Sequence, residues 1–69
     1  MMEDNWVSVF TTDQPYLADI VKQVLQENNI VSVVINKIDS SYSMFGEVEV
    51  YVDRDLVIKA KSIIENIES

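Results

Sequence analysis

Apolar and polar positions alternate most regularly in the stretch 47–53. Val48, Val50 and Val52 fall on one side, and Glu47, Glu49 and Tyr51 on the other. Successive residues of a strand point to opposite faces, so this pattern predicts a strand with one buried and one wet face. The stretch 30–36 predicts a second, more apolar strand, with Val31, Val33 and Ile35 on one face and Ser32, Val34 and Asn36 on the other. Trp6 to Thr12 predicts a third, with Val7, Val9 and Thr11 opposite Trp6, Ser8 and Phe10.

Between these strands the period changes. Leu17, Ile20, Val21, Val24 and Leu25 recur at three- and four-residue spacing and form one apolar stripe of a helix. Thr12 or Asp13 is the expected cap, with Pro15 in the first turn. The helix should stop at Asn28-Asn29, with Asn29 in the left-handed conformation. A second stripe of Leu56, Val57, Ala60, Ile63, Ile64 and Ile67 predicts a closing helix, capped by Asp53 and with Asp55 at its positive end.

The order strand, helix, strand, strand, helix suits a split βαβ unit with both helices on one face. The expected fold is an α+β, ferredoxin-like α/β sandwich of one domain, 1–69. Its three-stranded mixed sheet places the last strand between the first two, parallel to the first and antiparallel to the second. The usual fourth strand is missing, which leaves the edge at Trp6 to Thr12 open to pairing with another chain.

Composition narrows the chemistry. The 69 residues carry a net charge of −7, from 12 acidic and 5 basic residues. Such a chain is repelled by nucleic acid and by anionic membrane. No apolar run is long enough to span a bilayer, and the acidic start has no signal-peptide core. With no cysteine as well, the expected location is the cytoplasm. The chain has neither histidine nor cysteine. That removes the usual nucleophilic pairs, histidine acid–base work and ordinary zinc sites, so no catalytic residue, metal or cofactor is expected.

Two places are candidates for binding. The first is the connection 37–45, too long for a tight hairpin turn, which with Asn36 just before it offers Lys37, Asp39, Ser40, Ser41, Tyr42 and Phe45 to a small polar ligand or partner. The plainer alternative is that Tyr42, Met44 and Phe45 only close the end of the core. The second is the wet sheet face, where Trp6, Phe10 and Tyr51, with Val34 beyond, would make an apolar and aromatic patch suited to protein contact or self-association. Aromatics on such a sheet can stack RNA bases, but Glu47 and Glu49 beside them argue against it. Asp53-Arg54-Asp55 is fully explained as a cap, and Glu47 with Glu49 as a solvated face.

Val9-Phe10-Thr11-Thr12, Asn28-Asn29-Ile30, Asn36 with Asp39-Ser40-Ser41, the run Gly46 to Val52 and the closing helix with Ala60 resemble the domain-of-unknown-function 2007 family of prokaryotic signal-transducing proteins. The resemblance spans most of the chain and rests mainly on structural motifs. It implies a ferredoxin-like fold related to PII nitrogen-regulator and ACT-type modules, and it carries over no catalytic residue. Family members tend to have glycine where this chain has Asn29. Two functions are compatible with all of this: a regulatory or interaction module, and a purely structural or dimerisation protein with no ligand.

Overall fold

The computed structural model describes residues 5–37 and 46–68. In chain order the elements are β1 (Trp6–Thr12), α1 (Pro15–Glu27), β2 (Ser32–Asn36), β3 (Val48–Asp53), a 3₁₀ turn (Arg54–Leu56) and α2 (Val57–Glu68). The strands form one sheet in the order β1-β3-β2, an α+β arrangement consistent with ferredoxin-like topology.

The sheet is wholly antiparallel, not mixed. β3 runs antiparallel to β1 as well as to β2. The geometry requires this. The crossover through α1 makes β1 and β2 parallel, and β3 returns from β2 into the gap between them, so it opposes both.

Each helix end has a local cause. Pro15 occupies the first turn of α1 and holds Gln14 extended, at φ −116° and ψ 105°, so Gln14 is the boundary residue and not Thr12 or Asp13. Thr12 still contributes, because its Oγ1 accepts from the Gln14 N–H at 3.1 Å. At the other end Asn29 has a φ of 65°. The Asn29 N–H donates to Gln26 O at 3.0 Å and the Ile30 N–H to Leu25 O at 2.9 Å, which is a Schellman closure. Ile30 and Leu25, the two residues such a closure brings together, are both fully buried. At the start of the second helical segment Asp53 Oδ1 accepts from the Asp55 N–H at 2.9 Å. The expected cap is there, but the turn that it caps is 3₁₀ and leads into α2.

Val48, Val50 and Val52 turn inward from β3 and meet Ala18, Val21 and Leu25 of α1 and Ala60 and Ile64 of α2. Each fully buried branched side chain of this set contributes about 1.5–3 kcal/mol by leaving water. Both helices lie on this one face, and the shortest dimension of the molecule is 15 Å, room for one helix layer on one sheet. None of the described elements covers the opposite face.

Register decides which residues lie there, and it departs from simple alternation twice. β1 carries a bulge between Ser8 and Phe10. Val9 is the extra residue, so Phe10 pairs with Val50 and faces the core. In β2, Val34 pairs with Val50 and packs on the core, while Val33 and Ile35 pair with Tyr51 and Glu49 on the open side. The cause is the Schellman turn: it buries Ile30, and Ser32, Val34 and Asn36 inherit the parity of Ile30.

Candidate functional site

The open face is laid out in rows set by β3. Trp6 lies opposite Asp53. Ser8 and Val33 flank Tyr51, and Thr11 and Ile35 flank Glu49. Trp6, Tyr51, Val33 and Ile35 are all half-buried. Trp6 on β1, Tyr51 on β3 and Ile35 on β2 step down one row with each strand, so the apolar groups form a diagonal band with Val33 at its side. Polar Ser8 and Thr11 fill the corner beside β1.

A polar cluster closes the lower end of the band. Lys37, just past β2, sets its Nζ 2.5 Å from Glu49 Oε1. The Tyr51 hydroxyl donates to the same oxygen at 2.9 Å. The Lys37 N–H donates to Glu47 O at 2.9 Å and keeps the connection in register. The hydrogen bond from Lys37, then that from Tyr51, lowers the Glu49 pKa, and the hydrogen bond and charge of Glu49 raise that of Lys37. The Glu49 side chain is 21% exposed and that of Lys37 55%, so the cluster is anchored in the sheet with its cation reaching into water. It ties Tyr51, Glu49 and Lys37 to one another on the open side, and as an exposed ion pair it adds little stability.

Two concavities lie on the helix side. An apolar cleft of about 230 Å³ opens between the helices and is lined by Phe10, Leu17, Ile20, Val21, Ile64 and Ile67. A broad depression of about 530 Å³ lies where α1 ends, bounded by Lys22, Gln26, Asn29, Ile30, Val31 and Ser32. It is the larger of the two, but it is open and has no converging charged groups. Among the described residues no three acidic side chains come together as they would around a metal ion.

Of the residues singled out from sequence, Trp6, Tyr51 and Lys37 belong to the open face and its polar end. Phe10 does not: the bulge sends it into the wall of the helix-side cleft. Val34 is likewise displaced to the core by its pairing with Val50. Asn36 pairs with Val48, on the parity of the core face, and is exposed at the end of β2. Asp39, Ser40, Ser41, Tyr42 and Phe45 lie outside the described residues. Val33 and Ile35 were missed, and Glu49, read as part of a solvated face, is held by Lys37 and Tyr51. The buried Ile30 after Asn29 was the signal for Val33 and Ile35, because it sets the parity of β2. For Glu49 there was no such signal, because a held glutamate and a solvated one share the same strand pattern.

No helix among the described residues is long and apolar enough to cross a membrane. Neither a curated protein nor a solved structure matches the chain. A family model, described as "Putative prokaryotic signal transducing protein", matches residues 6–68. That match takes in every strand and both helices, and the chain belongs to this family, domain-of-unknown-function 2007.

Proposed function

We propose that this chain is a non-catalytic interaction module of a prokaryotic signalling route, acting in the cytoplasm, whose open sheet face receives a protein partner. One observation carries the reading. Four large apolar side chains, Trp6, Val33, Ile35 and Tyr51, stand on a sheet face that no described element covers, with a fixed polar cluster at one end. Contiguous apolar surface of this kind marks contact sites, and aromatic groups are favoured there. The family description supports the signalling part of the reading. A small polar ligand near residues 37–46 belongs to the same proposal as a regulator of that contact.

Self-association is the second reading, favoured by the outer edge of β1, which no described strand pairs in the order β1-β3-β2. Site-specific photocrosslinking in cells tests the first. A photoreactive residue replacing Ile35 should give adducts with another protein, and one replacing Ile20 in the helix-side cleft should not. Adducts from position 20 alone would overturn the proposal.

A further inference from the structure

We infer that the partner segment is an amphipathic helix of about three turns, its apolar stripe flanked by lysine or arginine. This rests on the open face being the contact surface. The diagonal from Trp6 to Ile35 crosses two strand spacings and four residues of β3. At about 4.8 Å per spacing and about 3.4 Å per residue it is about 17 Å long. The same length separates positions i and i+11 of an α-helix at 1.5 Å per residue. An apolar stripe at i, i+4, i+7 and i+11 therefore meets the band along its length. An added strand would instead follow a sheet edge, where this band does not run.

Charge selects the flanks. The band has Asp53 beside Trp6 at one end and Glu49 and Glu47 at the other. Two basic residues stand beside the sheet: Lys37, already held by Glu49, and Arg54, which follows Asp53 and whose N–H donates to Asn5 O. The other three basic residues, Lys22, Lys59 and Lys61, belong to α1 and α2. The open face thus has carboxylates at both ends of an apolar line, three against two cations, on a chain of net charge −7. A second copy would bring acid against acid, whereas a basic helix meets opposite charge at both ends.

The test titrates the isotope-labelled full chain with two designed 14-residue helical peptides. Both carry leucine at i, i+4, i+7 and i+11; one has lysine on the flanks and the other glutamate. The lysine peptide should shift the amide signals of Trp6, Val33, Ile35, Glu49 and Tyr51. It should bind about tenfold tighter than the glutamate peptide, as two or three exposed charge pairs allow. Ile35→Ser should weaken it, and Trp6→Ser serves if that variant does not fold. Equal binding of the two peptides, no binding of either, or shifts confined to the cleft between α1 and α2 would overturn the inference. Adducts from position 35 would then show whether the open face is still a contact surface for a partner of other chemistry.

Discussion

Asn29 carries the reversal from α1 into β2. Its φ of 65° places a Cβ where glycine bears no steric cost, and its N–H and that of Ile30 close the helix. Asn29→Gly should therefore stabilise the chain by up to about 1 kcal/mol, read as a higher urea midpoint at unchanged slope. This residue was legible because few side chains other than Asn end a helix in this way. Glu49 was not, since a glutamate on a wet strand face has the same pattern whether it is solvated or held. Its pKa is lowered by Lys37 and then Tyr51, so its contribution to stability is present above the ordinary glutamate value of ~4.3 and lost as pH falls through the lower folded value. Lys37 has a raised pKa, so its contribution is present below ~10.4 and lost as pH rises through the higher folded value. Melting curves of the native chain and of Glu49→Gln should differ near neutral pH, and the difference should shrink in acid as the native carboxylate is protonated. A difference that is constant with pH would mean that the cluster does not form in solution.

At the scale of elements, period alone defined α1, α2 and β3, although Ile20 and Ile67 of the expected stripes are exposed and Ala18, outside them, is fully buried. It misled at β1, where a single extra residue reverses the parity of everything after it. A bulge leaves no fixed residue signature, and Val9 and Phe10 are both apolar, so neither side of the break looked wrong. It misled at β2 because Val33 and Ile35 outweigh Ser32 and Asn36 in hydrophobicity, although the turn before them dictates the opposite face. The bulge gives a sharp contrast between two aromatics of one strand. Phe10 packs against the core from the helix side, and Phe10→Ala should cost about 2–3 kcal/mol, below the full-burial range because the ring is half-exposed. Trp6→Ser, on the open face, should cost less than about 1 kcal/mol. Chemical denaturation of the two variants checks the order. If Trp6→Ser were the costlier change, the bulge would be misplaced and Phe10 would face outward.

At the scale of the whole molecule, the element order was enough to predict the α+β architecture and the place of β3 in the sheet, because a right-handed crossover leaves one gap to fill. The antiparallel sense of β1 and β3 follows from the same topology. The open face was legible as a place, and only in part as a set of residues. What meets it is a question of long-range charge, and salt separates the two readings by sign. Two copies of charge −7 repel, and the repulsion is strongest where screening is weakest. Self-association through this face or the β1 edge should therefore strengthen as salt rises from about 10 to about 300 mM, over which the screening length falls from ~30 Å to below 10 Å. Binding of a basic helix should weaken over the same range, because its contribution comes from opposite charges at the rim. Sedimentation velocity of the chain alone, across that salt series and up to millimolar concentration, should find a monomer at low salt and any dimer only at high salt. A dimer that is tightest at low salt would contradict the charge argument. It would mean that the cations of one copy, Lys59 or Lys61 on α2, reach the acids of another, and the open face would then be a contact between copies of this chain.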